Sequence, residues 1–242
     1  MEYGDYISAL RWNGSAAAQA ARDIPMETTV PSCPEWNLRD LVHHLGSHHR
    51  WVAGNLDQPP DGNAFKQREE PPGDEAIPDW LEAGAEMLAI KLAATDPAKP
   101  CWTWVPFDSS VGFWARRTTQ ETAMHRWDAQ NAGGAAAAAV EPELAADGVD
   151  EYLGILGAFR GRRFPEAGSI HLHTTDTPGE WLVRLGPDGI HLTLEHAKGD
   201  VAVRGPASDV LLVLMGRKAM DAADVFGDAP LFERFRKHAS FG

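Results

Sequence analysis

The sequence predicts a two-domain α+β protein, with a bundle of helices followed by a small antiparallel sheet carrying helices of its own. Three observations predict it. Up to about residue 160 the apolar residues recur at helical spacing. After Pro165 they alternate with polar residues at period two. Within the helical part, a histidine-rich segment is matched by a second segment in which Glu121 and His125 stand four residues apart.

Tyr6, Leu10, Ala17 and Ala21 give the first helix its apolar stripe, and Pro25 ends it. The stretch Val30-Pro-Ser-Cys-Pro-Glu-Trp36 is a proline-punctuated loop. Asn37 then suits an N-cap, with Asp40 in the first turn where a negative charge is favoured. That second helix runs to about Asn55, before Pro59 and Pro60. Residues 58–76 read as a loop. A third helix is predicted from Pro78 to about Thr95 on Trp80, Leu81, Met87, Leu88 and Leu92. Residues 96–110 form a second loop holding Trp102, Trp104 and Phe107. A fourth helix spans about Gly112 to Asn131, and a Gly/Ala-rich link at 133–139 leads to a fifth from Pro142 to Phe159. Helices of this length joined by loops predict a bundle over residues 1–162.

In residues 166–242, Ile170, Leu172 and Thr174 alternate with His171 and His173. The sets Trp181, Val183, Leu185 and Ile190, Leu192, Leu194, and then Val201 and Val203, repeat the pattern. Turns fall at Thr177-Pro-Gly, Gly186-Pro-Asp-Gly and Lys198-Gly-Asp, so a meander of antiparallel strands is predicted. An apolar helix from Pro206 to about Arg217 and a short one from Leu231 to His238 complete the domain. The boundary is placed near 160–168.

The 22 basic and 35 acidic residues among 242 leave a formal charge of −13. Nucleic acid and anionic membranes both need a basic footprint, so neither is expected as a partner. No apolar run is long enough to span a bilayer, and the start of the chain lacks the features of a signal peptide. Two cysteines, Cys33 and Cys101, without a CxxC pair, suit a reduced, cytoplasmic protein better than a disulfide or a sulfur-ligated metal.

On a helix, Glu121 and His125 share one face, with Cβ atoms roughly 5–6 Å apart. Imidazole and carboxylate both ligate zinc and related divalent metals. A third ligand from Asn37–Trp51, where histidines stand at 43, 44, 48 and 49, would leave a fourth position open, as in catalytic sites. His44 and His48 lie one turn apart, and His43 points about 100° away from His44. Asp128, seven residues after Glu121, either orients a histidine ligand or is a helix-surface aspartate. Trp36, Trp51 and Trp127 suit core or pocket wall, and Arg126 a salt bridge. His171 and His173 project from one strand face and suit solvated sheet surface. Arg217 closes an apolar helix, where a cation favours the C-terminal dipole.

The stretch from Val30 to Gly46, together with Glu121-Thr-Ala-Met-His-Arg-Trp-Asp128, resembles the mycothiol-dependent maleylpyruvate isomerase family of DinB-like metal-binding four-helix bundles. Ser169-Ile-His-Leu-His-Thr-Thr-Asp-Thr-Pro-Gly-Glu-Trp181, with Gly205-Pro-Ala-Ser-Asp209 through Gly216-Arg217, is similar to that family's sterol-carrier-like C-terminal α+β domain. The resemblance implies His44, Glu121 and His125 as metal ligands, with His48 in reserve. It also implies that Arg217 holds an anionic substrate or the thiol cofactor, a catalytic and cofactor-binding role. Many relatives carry His where this chain has Gln120, a departure off the ligand face.

The function expected is that of a metal-dependent, mycothiol-dependent isomerase or S-transferase. It would act on a small electrophilic substrate through a thiolate bound to the metal, with zinc the metal expected. The other readings are a metallohydrolase of the same fold and a small-ligand-binding protein whose metal plays no catalytic part.

Overall fold

The structure is a computed structural model, described for residues 1–66, 69–134, 136–158 and 164–239. The chain divides into two compact units, Met1–Ala138 and Ala139–Gly242.

The first unit holds four helices: α1 (Tyr3–Asp23), α2 (Leu38–Asn55), α3 (Ile77–Ala93) and α4 (Val111–Ala132). All four were predicted, with ends displaced by one or two residues. α1 packs on α3 and α4, and α2 packs on the same two helices. Apolar stripes on α1, α2 and α3 meet in a core that includes Leu38, Leu41, Leu45, Ile77 and Leu81. α1 approaches α3 so closely that a Cβ on Gly14 would lie 2.5 Å from that of Ala85. α2 starts where the sequence places it. The Asn37 side chain accepts from the Asp40 backbone N–H at 3.0 Å, and the Asp40 carboxylate accepts from that of Asn37 at 3.0 Å. Such a reciprocal cap contributes about 1 kcal/mol. Away from this core, Trp114 of α4 packs edge-on against Trp51 of α2 at 5.2 Å, and its indole N–H donates to the Trp102 carbonyl at 2.7 Å.

The second unit begins with α5 (Pro142–Ala158), followed by β1 (Gly168–Thr174), β2 (Glu180–Gly186), β3 (Gly189–Thr193), β4 (Val201–Gly205), α6 (Ala207–Leu214), a 3₁₀ turn (Met220–Ala222), β5 (Asp224–Gly227) and α7 (Ala229–Ala239). The strand order is β3-β2-β1-β4-β5. β1/β2, β2/β3 and β4/β5 pair antiparallel, whereas β1/β4 pair parallel, so the sheet is mixed and a simple meander ends at β3. Alternation specifies the buried face of a strand and is silent on its neighbour, which is why the sequence reading missed the parallel ladder and the short β5. β3 also stops early: Leu194, expected in its apolar set, is exposed.

The sequence reading placed α5 with the bundle, in residues 1–162. The structure groups it with the sheet. α5 packs on α6 and β3, Tyr152 donates to the Ala239 carbonyl at 2.7 Å, and Asp150 accepts from the Trp181 indole at 3.3 Å. An apolar helix stripe does not state which core it joins. Residues 159–163, which hold the predicted helix end at Phe159 and part of the predicted boundary, lie outside the described residues. α6 is shorter than predicted. It closes with Gly216 at φ +73°, while the N–H groups of Arg217 and Gly216 bond back to the carbonyls of Leu212 and Val213. This is a glycine-dependent helix stop, and it puts Arg217 beyond the helix. No described helix is long and apolar enough to cross a membrane.

Within the bundle, His49 of α2 is fully buried against α4. The Thr122 hydroxyl donates to the Thr118 carbonyl at 2.7 Å, so its oxygen accepts from His49 Nε2–H at 2.9 Å. His49 Nδ1 is left buried with no hydrogen-bond partner among the described residues. Burial pushes this imidazole well below its ordinary value, and neighbouring His48 and Arg50 add to the effect. The unfolded chain accepts a proton that the folded one refuses. Stability is therefore full above about pH 6.5 and declines by about 1.4 kcal/mol per pH unit below it, until the depressed folded value is reached. Urea melts of the native chain and of His49→Gln at about pH 7.5 and 5.5 check this. The native chain is expected to lose roughly 1.4 kcal/mol more than the variant over that interval.

Candidate metal centre

α2 and α4 carry the predicted ligand residues, and their packing brings them together. His44 Nε2 lies 3.1 Å from Glu121 Oε1, and His125 Nε2 lies 3.2 Å from the same oxygen. One ligand atom from each of the three residues falls within 4.8 Å of the others. Zinc bonds of about 2.0–2.1 Å in a tetrahedron hold ligand atoms about 3.3 Å apart. The donor set and spacing therefore fit a divalent transition metal.

The residues behind these three restrict them further. Asp128, entirely buried, accepts from His125 Nδ1–H at 2.9 Å and from the Ser32 hydroxyl at 2.5 Å. Of the two readings of Asp128, the structure selects the orienting one: with Nδ1 engaged, Nε2 of His125 is left to face Glu121. Arg117, one turn before Glu121, forms an ion pair with Oε2, the oxygen turned away from the histidines. Trp36, from the proline-punctuated loop, stacks obliquely on His44 at 4.9 Å and reaches His125 at 6.1 Å.

Electrostatics follow from this packing. Burial alone would raise the Glu121 carboxyl, but Arg117 and the hydrogen bonds from His125 and His44 outweigh it and hold it well below the usual range. Burial alone would lower His125. The carboxylates of Asp128 and Glu121 overcome that and push the imidazole up to about 9.

The other histidines of α2 separate by face. His43 is exposed beside Trp80, at a ring distance of 6.3 Å. His48, the reserve ligand, has its ring 6.4 Å from that of His44 and stays outside the converging set. Burial lowers it to about 4, against the pull of Glu121. Arg126, read from the sequence as a salt-bridge residue, lies inside the bundle. It is fully buried and donates to Asn13 Oδ1 at 3.1 Å and Gln130 Oε1 at 3.0 Å. Gln120 is buried as well. Arg217 lies in the second unit, where its guanidinium donates to the Met215 carbonyl at 3.3 Å in the turn that closes α6. Cys33 and Cys101 are free thiols, and burial raises Cys101 to about 11, too high for a nucleophile.

The sequence reading missed Arg117 and Ser32. Arg117 had a signal, its four-residue spacing from Glu121. Ser32 had none, because its partner lies 96 residues away.

Comparison with known proteins agrees with this architecture. The family model for the mycothiol maleylpyruvate isomerase N-terminal domain matches residues 8–130, and that for the MDMPI C-terminal domain matches residues 143–234. No curated protein matches the chain in sequence. Among solved structures, the crystal structure of the mycothiol-dependent maleylpyruvate isomerase aligns with a TM-score of 0.66 at 12% identity, covering 93% of each chain. A histidine-to-alanine mutant of that enzyme aligns with the same TM-score, identity and coverage. At this identity the likeness is one of fold.

The Asp128 contact sets the His125 titration. In chelator-treated protein, NMR should place the His125 imidazole near 9, and Asp128→Asn should lower it by about one unit or more. An unchanged titration in the variant would assign the shift to Glu121 alone.

Proposed function

The chain belongs to the mycothiol maleylpyruvate isomerase family, and from that premise we propose that it is a metal- and mycothiol-dependent enzyme acting on a small electrophilic substrate. The observation that carries this reading is the meeting of His44 Nε2, Glu121 Oε1 and His125 Nε2, with Asp128 and Arg117 each engaging an atom that faces away from it.

His44, Glu121 and His125 would hold one divalent ion, for which zinc suits the two-imidazole, one-carboxylate set. Such an ion supplies the positive charge that favours thiolate over thiol at neutral pH, where a free thiol is mostly protonated. Mycothiol, when bound, would supply a thiolate able to add reversibly to a conjugated double bond, so that rotation and loss of the same thiolate give cis–trans isomerisation. The chain's own residues prepare for this. Asp128 keeps His125 in the tautomer that presents Nε2. Arg117 neutralises the outer oxygen of Glu121 and leaves the inner one free. Trp36 packs obliquely against both imidazoles and limits the positions their rings can take. Arg217 is assigned to the anionic substrate or the thiol, because an acidic protein needs a local cation to attract either one. Two free cysteines fit a reducing cytoplasmic setting.

The test is metal content joined to turnover. Protein reloaded with zinc should hold about one ion through this cluster, lost in the Glu121→Gln/His125→Ala double variant, and turnover of a cis-configured conjugated substrate should require both zinc and thiol. Stripping the ion should cut turnover by roughly 10²–10³, the range for removing one electrostatic stabiliser. Far-ultraviolet circular dichroism should change little, since the bundle has its own apolar core. Thiol-independent hydrolysis would overturn the reading in favour of a metallohydrolase.

Arg217→Ala should raise KM for the anionic substrate or thiol about tenfold or more, the value of a lost charge-assisted hydrogen bond, with metal content unchanged. Unaltered kinetics would return Arg217 to closing α6.

A further inference from the structure

The geometry points to a second divalent-metal site, on the sheet of the C-terminal unit, formed by His171, Glu180 and His196 and supported by His173. It is independent of the α2/α4 cluster, sharing no residue or element with it.

His171 and His173 occupy alternate positions of β1 and so project from one face, while Ile170 and Leu172 fill the core on the other. The β1/β2 register sets Glu180 directly opposite His173 and diagonal to His171. His196 arrives from the connection between β3 and β4. The three imidazoles converge on one carboxylate: His171 Nε2 and His196 Nδ1 lie 3.4 and 2.6 Å from Glu180 Oε2, and His173 Nδ1 lies 2.9 Å from Oε1. Ligand atoms of His171, Glu180 and His196 fall within 4.8 Å of one another. The His171 and His196 rings meet edge to face at 5.2 Å.

The sequence reading took His171 and His173 for solvated sheet surface. The structure corrects this for His171, which is buried. Three imidazoles gathered on one carboxylate form a donor set suited to zinc, nickel or copper. The His171–Glu180 separation already matches the edge of a tetrahedron of zinc ligands, about 3.3 Å. The His196–Glu180 separation must open by less than about 1 Å to do so. His196 can make that adjustment, because its side chain is 78% exposed and lies outside any strand.

The strand order explains what such an ion would do. β3 stands at one edge of the sheet and β4 lies on the far side of β1, so residues 194–200 must carry the chain across β2 and β1. His196 touches Glu180 of β2 and His171 of β1 along that crossing. An ion held there would fasten the crossing to the two strands beneath it. The role is structural, with His173 orienting Glu180 through its second oxygen.

The experiment is zinc titration of the full chain by calorimetry, with the α2/α4 cluster disabled by Glu121→Gln/His125→Ala. About one zinc per chain is expected to remain. Adding His196→Ala should weaken it about 100-fold or more, and His173→Ala about tenfold. If the background variant does not fold, His196→Ala in the otherwise native chain serves instead, since this exposed side chain supports no core. Two bound zinc ions are then expected to become one. Hydrogen exchange in residues 194–200 should slow on adding zinc to the native chain and not to His196→Ala. No zinc beyond the α2/α4 site, or binding and exchange indifferent to His196→Ala, would overturn the proposal and leave a hydrogen-bonded histidine cluster. Loss of the α2/α4 ion alone would bear on the proposed function and not on this site.

Discussion

The constraint on which the bundle depends is the burial of polar side chains around α4. Thr119, Thr122, His125, Arg126 and Asp128 are all buried on this helix. A buried polar group without a partner costs on the order of 1–3 kcal/mol, and a buried charge more. Four of these side chains tie α4 to a particular neighbour. Thr119 donates to the Tyr6 carbonyl of α1, Arg126 reaches Asn13 of α1, Thr122 meets His49 of α2, and Asp128 holds Ser32 in the loop before α2. Apolar stripes alone would tolerate sliding between helices. Directional bonds at these positions set the register at which α2 and α4 pass, and His44 reaches Glu121 because of it.

The candidate centre inherits its asymmetry from that arrangement. Glu121 offers one oxygen to the histidines because Arg117 occupies the other, and His125 offers Nε2 because Asp128 occupies Nδ1. The same logic appears in the sheet, where His173 engages one oxygen of Glu180 and His171 and His196 the other. The scaffolds differ. A helix pairs ligands at four-residue spacing, whereas a strand pairs them at two. The bundle cluster lies between two packed helices. The sheet cluster takes its third histidine from an exposed connection, which suits a fastening role more than a reactive one.

Much of the helical unit was legible because its signals are local. Asn37 with Asp40, Pro25, and the stripes of α1 to α3 each act within a few residues of where they stand, so elements and caps emerged close to their observed ends. The Glu121–His125 pair was legible for the same reason, being one helical turn. His44 was separable from His48 only through family resemblance, because both lie on one face of α2 and the choice rests on where α4 crosses. The burial of Arg126 against Asn13 left no such local trace, because the partner stands on another helix.

The sequence by itself determined most of the elements, the two-part α+β plan, the acidic character and the residue types able to hold a metal, all of which depend on composition and short-range periodicity. Only the tertiary structure decided the partners. It placed β4 parallel to β1, gave α5 to the sheet, buried Asp128 behind His125, and gathered His196 with His171 and Glu180. The physical reason is common to all four. Hydrophobic periodicity states which face of an element is buried. What that face meets depends on long-range packing and on satisfying particular hydrogen bonds, and neither is written in the spacing of residues along one element.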